Sequence, residues 1–513
     1  MAGRAFAGRI HAAAIVLVLF AAGGVRAHDY FKITIVDEQT KRGVPLVELR
    51  TTHEARYFTD SNGVVAFREP GLMDENIYFA ITSHGYEFAK DGFGSRGKAL
   101  RTTPVGEATL QIRRVNIAER HYRLTGGGIY ADSVLTNTPA PTSQPVLNAK
   151  VMGQDSVHCY PYRGKLFWLW GDTNRPSYPL GNFQTTSALS DLPGKGGLDP
   201  STGVNFSYFA GDDGFAKPMV PLKEKGVVWC DGLFALPDET GAERLVAHYV
   251  RLKGLGTPPL EQGLVAFNDE TQVFERLVTF DDDTLRGGWG HAFRHTVDGV
   301  DYVYFASPYP TLRVRADWAS VSDPRRYESF TCLVKGTRYD KDKPQLERDA
   351  AQKLVYAWKP DTGRLDAAQQ TELIKAGKLR AEEAYWQMRD AETGKPIITH
   401  GGSCFYNKYR KRWVMIFSQL FGDSLLGETW YAEADDPMGP WSSARKIVTH
   451  DNYSFYNPKH HPYFDEDGGR VIYFEGTYVT TFSGNDRPTP RYDYNQIMYK
   501  LDLDDPRLKT IRE

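Results

Sequence analysis

From Gly153 onward the chain repeats one hydrophobic pattern. A polar or Gly-containing stretch opens an apolar strand, a turn follows, and a Trp-, Phe- and Tyr-rich strand closes on another polar group. The clearest copy is GQDSVHCYPYRGKLFWLWGDT, from Gly153 to Thr173. Further copies run from VVWCDGLFAL to LVAHYVR, then through WGHAFRHTVDGVDYVYFASP, HGGSCFYNKYRKRWVMIFSQ and FYNPKHHPYFDEDGGRVIYFEGTY. Five such hairpin units predict the blades of a propeller, which surround a central channel. A propeller gathers the same point of every blade around one pocket, so Asp155, Asp231, His291 and Asn457 become neighbours. The last apolar stretch, NQIMYKLDL, reads as a strand that completes a blade begun elsewhere and closes the ring.

Ahead of the repeats, FKITIVDEQT, GVPLVELRTT, VVAFREP and IYFAITSHGYEF alternate apolar and polar positions at the period of short strands. Asp60-Ser61-Asn62-Gly63 predicts a tight turn between two of them. The expected fold class is therefore all-β: a small N-terminal β-sandwich over 28–115, then a five-bladed propeller over 149–506. The connector, 116–148, is Tyr- and Arg-rich before its Pro/Thr-rich part, which suits a segment lying against the propeller or closing it. An insertion over about 313–396 carries the helical patterns LDAAQQTELIKAG and LRAEEAYWQM, with Gly377 ending the first. It reads either as a wall beside the pocket or as a decoration remote from it. His53, Asp60 and His84 read as solvated turn or rim groups.

Composition narrows the function classes. The 513-residue chain has a formal net charge of −2, so it offers no basic field for nucleic acid. Arg4 and Arg9 precede the apolar run AAAIVLVLFAA, and Val25-Arg26-Ala27 supplies a cleavage site, so 1–27 reads as a signal peptide. The expected protein is secreted or periplasmic, with no membrane span. The four cysteines show no CxxC or Cys/His metal spacing, and both disulfides and buried free thiols remain open.

The hairpin repeat also suggests which polar groups share a rim. Asp155 pairs with Asp172, Asp231 with Tyr249 and Arg251, His291 with Ser307, Ser403 with Gln419, and Asn457 with Glu475. Carboxylates around a concave pocket are what glycoside hydrolysis needs: one protonated for the leaving oxygen, one ionised for water or carbon. The runs DDD at Asp281 to Asp283 and DED at Asp465 to Asp467 read as solvated turns. Trp168, Trp170, Trp289 and Tyr478 read as core, with one or two near the rim to stack on sugar faces.

By repeat layout, Thr125 to Asp505 resembles the five-bladed propeller glycosidases of the arabinanase and xylosidase-like clan. QDSVHCYPYRGKLFWLWGDT matches the first-blade layout at Asp155, and AEADDPMGPW is similar to the clan's blade-end motif. The run V-D-x-x-T…G-V-P…T-D-S-N-G with HGYEF resembles transthyretin-like, carboxypeptidase-regulatory-like domains, which serve as accessory modules. The clan resemblance implies Asp155 as general base or nucleophile and Asp231 as modulator. The clan's acid is a Glu on the third blade, where this chain has His291 instead. Glu475 is the preferred replacement and Glu428 or Glu433 the alternative. Some clan members hold a calcium ion in the channel, which would place Ca2+ near His291 here.

The expected activity is a secreted glycoside hydrolase with Asp155, Asp231 and Glu475 catalytic, and with Asp172, Arg251, His291, Gln419, Asn457 and His460 binding a carbohydrate. No protein metal ligand set is expected. Two other readings stand beside it. One is a polysaccharide lyase using Tyr249, Arg251, His291 and His460; the other is a propeller that binds carbohydrate without turnover.

Overall fold

The computed structural model describes residues 29–254, 256–280 and 290–511. The predicted signal peptide, Trp289 and the DDD run lie outside the described residues. The described chain is nearly all-β.

Two four-stranded sheets form the N-terminal unit. One has the order Val64–Phe67, Phe31–Asp37, Glu107–Arg114, Tyr86–Glu87; the other has the order Arg56–Phe58, Glu48–Thr51, Asn76–Thr82, Gly97–Arg101. Strict alternation in Phe31–Asp37 sends Phe31, Ile33 and Ile35 into a core shared with Val47, Leu49, Phe79 and Ile81 of the facing sheet. The Asp60 turn forms as its residues dictate. One carboxylate oxygen accepts the N–H groups of Asn62 (3.0 Å) and Val64 (3.2 Å), and Gly63 takes φ +75°.

A small three-stranded sheet of Gly153–Gln154, Thr173–Arg175 and Tyr178–Asn182 follows, with five larger sheets that are antiparallel except where Arg389–Asp390 joins Ser443–Val448 in the fourth. Their first hairpins are His158–Tyr162 with Lys165–Trp170, Val227–Pro237 with Glu243–Leu252, His291–Val297 with Val300–Ala306, Ile398–Asn407 with Arg412–Leu420, and Ser454–His460 with Val471–Val479. The first strand of each sheet packs against the first strand of the next. The fifth sheet returns to the start of the first through Ser156 N–H to Thr477 Oγ1 (3.0 Å) and Asn457 Nδ2 to Ser156 Oγ (2.9 Å). Large aromatic side chains fill the spaces between sheets. Trp168 and Trp170 are fully buried, and Tyr478 stacks on Tyr453 at 3.9 Å. The four cysteines are free thiols, and Cys159, Cys332 and Cys404 are buried.

Three segments differ in detail from the pattern read along the chain. Asn495–Asp502 is the third strand of the fifth sheet, and the outer fourth strand is Glu119–Arg123 from the connector. The stretch taken as the start of the insertion instead extends the third sheet, with strands Leu312–Arg315, Glu328–Thr331 and Ala357–Pro360. Of its two helical patterns only Ala367–Lys375 is an α-helix, stopped at Gly377 (φ +67°). LRAEEAYWQM forms one short 3-10 turn, Ala381–Glu383, because Tyr385 and Trp386 turn inward onto Phe330 and Tyr309.

Asp60 and His84, read as solvated, are docking groups instead. The second Asp60 oxygen accepts Ser133 N–H at 2.6 Å, and His84 bonds the Tyr478 hydroxyl at 2.9 Å. His53 is exposed, as expected. Arg120, fully buried, fastens the N-terminal unit to the fifth sheet: its guanidinium donates to Pro45 O (3.0 Å), His84 O (3.0 Å) and Ser83 Oγ. Arg120→Met leaves those acceptors buried and unpaired, and is expected to lower unfolding stability by roughly 3–5 kcal/mol. Urea denaturation, with hydrogen exchange at Glu119–Arg123, checks this; unchanged protection there would rule it out.

Candidate functional site

At one mouth of the ring of first strands lies a cavity of about 520 Å³. Asp155, Asp172, Asp231 and Asn457 all line it, together with Ser156, His158 and Trp229. Backbone breaks put them there. Ser156 (φ +53°), Gly232 (φ +58°) and Asn457 (φ +50°) are left-handed, and the ladders slip between Asp231 and Phe234 and between Tyr456 and Lys459. Such bulges re-aim side chains out of the sheet plane. Two glycines make room for them: a Cβ on Gly171 would meet Asp155 Oδ1 at 2.3 Å, and one on Gly401 would meet Asn457 Oδ1 at 2.5 Å.

The carboxylates sit in unlike surroundings. Asp155 accepts the Tyr456 hydroxyl at 2.7 Å and also bonds Tyr494 and Ser156. Burial outweighs these bonds and, with Asp172 nearby, pushes its pKa up to about 6. Asp172 accepts Trp229 Nε1–H at 2.8 Å, and burial pushes it upward as well. Asp231 accepts Gly232 N–H at 2.6 Å and lies 3.5 Å from His158 Nε2.

A second lobe of about 740 Å³ adjoins the first at Asn457, which lines both. The insertion supplies Arg338, Arg364 and the start of the Ala367–Lys375 helix to this lobe, and the fourth sheet supplies Thr399 and His400. The insertion is thus a wall of the site.

Other sequence-predicted residues lie elsewhere. Glu475 is fully buried in the middle of Val471–Val479 and bonds His461 Nε2 at 2.7 Å. Its strand runs four residues further, and the slip at Asn457 sets Lys459 opposite it, so Glu475 never reaches the mouth. Burial pushes its pKa up to about 8. Glu428 is buried against Ser424 N–H, and Glu433 pairs with Arg410. Gln419 accepts Trp430 Nε1–H, and Arg251 pairs with Glu261 at 3.0 Å; neither lines either lobe. His460 is buried on Asp465 at 2.7 Å, and Tyr249, which lines the first lobe, gives its hydroxyl to Glu261. With His291 also buried, the lyase set is dispersed, and Tyr249, Arg251 and His460 are each bonded to a neighbouring carboxylate.

His291 lines neither lobe; it is buried, with its ring 4.9 Å from that of His158. Lys459 and His461 lie close by, with Asp231 3.5 Å from His158 and Glu475 bonded to His461. Among the described residues no group of three or more His, Cys, Asp or Glu side chains is arranged to hold a metal. No helix among them is long and apolar enough to cross a membrane.

Sequence reading missed Tyr456, Tyr494, Trp229, Arg364 and His400. Trp229 and Tyr456 each adjoin a predicted residue by one or two positions, and HGGS marked the bulge at His400, but nothing local marks Arg364 or Tyr494.

No protein-family model and no curated protein matches the chain. Among solved structures it is similar to an exo-β-1,3-galactanase from Phanerochaete chrysosporium, at 9% identity and a TM-score of 0.38 over 75% of this chain. The chain spans 65% of the length of that protein. It is also similar to a glycoside hydrolase family 43 enzyme from Xanthomonas citri, at 12% identity and a TM-score of 0.31, covering 69% of this chain and 89% of that one. These likenesses are distant, and the functional reading rests on the cavity itself.

The raised Asp155 pKa has a linkage consequence. The folded chain holds this proton more tightly than the unfolded chain, whose Asp titrates near 3.8. The stability it contributes is complete below that value and is lost as pH rises through about 6, roughly 3 kcal/mol in all. Asp155→Asn is therefore expected to be more stable than the parent at neutral pH and to converge with it in acid. Urea denaturation across that range checks this, and a variant equally destabilised at every pH would contradict it. Tyr456→Phe removes a bond to the ionised form and is expected to raise the Asp155 pKa further, which a carboxyl-carbon NMR titration measures.

Proposed function

We propose that the chain is a secreted or periplasmic glycoside hydrolase: a five-bladed propeller carrying a transthyretin-like β-sandwich, acting on a polysaccharide or oligosaccharide. One observation carries the reading. Asp155 and Asp231 face a single cavity from environments that differ, one carboxyl partly buried and held by hydroxyls, the other beside His158 and within the field of the insertion's Arg364. Two carboxyl groups so separated in environment are the arrangement that divides acid from base work.

The roles follow from burial. Asp155, protonated up to about pH 6, donates to the leaving glycosidic oxygen. Asp231 acts as the group that activates water or attacks carbon. The clan resemblance would give Asp155 the opposite role, but a carboxyl desolvated next to Asp172 is the better proton donor. Asp172 and Asn457 hold the sugar from either side, and the Trp229 ring forms part of the wall.

The test is a panel of polysaccharides, following reducing-end release and ultraviolet absorbance of unsaturated products together. Release without absorbance is expected, with Asp155→Asn and Asp231→Asn each lowering it by about 10²–10⁴-fold. The parent rate is expected to fall as pH rises past about 6, where Asp155 loses its proton. Unsaturated product, or full turnover by Asp155→Asn, sinks this assignment.

A further inference from the structure

Among the described residues three aromatic ones hold a left-handed backbone: Phe421 (φ +59°), Phe482 (φ +68°) and Tyr494 (φ +61°). All three lie at one corner of the mouth. Tyr494 bonds Asp155, Phe482 meets the Tyr456 ring edge-on at 6.3 Å, and Tyr456 donates its hydroxyl to Asp155. Phe421 follows Leu420, which packs with Tyr456 and Tyr494 in one apolar cluster. A bulky residue at positive φ is strained, and strain that a fold retains clusters where it serves a site.

Tyr494 has its reason in the bond to Asp155. Phe421 and Phe482 have none of that kind, and at 68% and 60% exposed neither fills a core. Both occupy the same place in the fold, just past the second strand of a sheet: Arg412–Leu420 in the fourth and Val471–Val479 in the fifth. Asp172 stands at that place in the first sheet, after Lys165–Trp170, and it lines the cavity. The two rings therefore emerge on the mouth side, on the rim beyond Tyr456. Local bonds fix their loops. Phe421 N–H donates to Leu425 O at 2.9 Å, Ser483 N–H to Thr480 O at 2.9 Å, and Thr480 N–H to Asp493 at 2.7 Å.

Exposed, fixed rings continuous with a polar cavity match a sugar chain. The C–H face of a sugar is apolar and packs flat on an aromatic ring, while its hydroxyls stay in water. The residues around the rings, Asp423, Thr480, Thr481 and Ser483, are too polar for the apolar centre of a protein interface. We propose that Phe421 and Phe482 form a stacking platform for the sugar units that run on from the one held at Asp155, so that the site takes a polysaccharide chain across the rim of the fourth and fifth sheets. This rests on the glycosidase reading for the chemistry at Asp155, whereas the platform itself is read out by binding.

Affinity electrophoresis of the full chain, in native gels cast with soluble arabinan, galactan, xylan or mannan, is the test. At least one polymer is expected to retard the parent. Phe482→Gly suits the local backbone and so keeps the fold; it is expected to weaken that retardation about tenfold, and Phe421→Gly to weaken it as well. Phe482→Trp is expected to keep the retardation and Phe482→Leu to lose it, because Leu fills space without offering a flat face. No retardation by any of the four polymers, or glycine and leucine variants retarded like the parent, overturns the proposal. So does a parent that sediments as a dimer with a Phe482→Gly chain that sediments as a monomer, which assigns the rings to a second copy. Retardation lost in the variants, with no reducing sugar released from any polymer, keeps the platform and sinks the hydrolase reading. Release of reducing sugar with parent-like retardation of the variants does the reverse.

Discussion

The site depends on one backbone constraint: the first strand of a sheet breaks its ladder where it reaches the mouth of the ring. At Asp155-Ser156, Asp231-Gly232 and Tyr456-Asn457 the chain enters the left-handed region within or next to the strand. A regular strand there would alternate its side chains between the two neighbouring sheets and present none to the axis. The bulge turns a polar side chain into the cavity instead. For Ser156 and Asn457 this costs backbone strain that glycine would avoid, and hydrogen bonds offset it. Asn457 Nδ2 reaches Ser156 Oγ, so two strained residues from the first and fifth sheets hold each other.

Burial then decides the chemistry. Asp155 and Glu475 are both carboxyls of raised pKa, but they lie on different sides of the slip at Asn457. Asp155 opens onto the cavity and can exchange its proton with a ligand. Glu475 is sealed between sheets against His461 and Lys459, and its raised pKa reflects interior desolvation alone. A perturbed pKa marks a functional group only where the group also has access.

Much of the β-architecture was legible because it rests on period and composition. All five hairpins lie where the Trp/Tyr/Phe-rich repeats are, and Asp155, Asp172, Asp231 and Asn457 line one cavity, whereas His291, expected beside them, does not line it. What failed was register. Glu475 and Gln419 were placed by assuming strands that stop at the polar residue after the apolar run. Val471–Val479 continues past Glu475, and Ile398–Asn407 begins early enough to put Thr399, not Ser403, opposite Gln419. Apolar pattern reports which face is buried and not where a ladder slips. Arg364 and Tyr494 were illegible for another reason: each reaches the site from a loop whose path is set by tertiary packing.

The N-terminal unit bears on the site through the fifth sheet. Glu119–Arg123 covers the free edge of Asn495–Asp502, so the sheet ends in a strand that belongs to the connector. Arg120 in that strand is bonded to the N-terminal backbone, and Tyr492 donates to Thr59 O at 2.6 Å while accepting Leu46 N–H at 3.1 Å. Tyr492 lies two residues before Tyr494, and the same sheet carries Tyr456 and Asn457. Both tyrosine hydroxyls that bond Asp155, and the amide that joins the two lobes, are therefore mounted on or next to the sheet that the N-terminal unit clamps. A unit fastened there need not touch a ligand to matter. It bonds the outer edge of the sheet that carries the tyrosines on Asp155, and this makes the docking interface part of the support of the site.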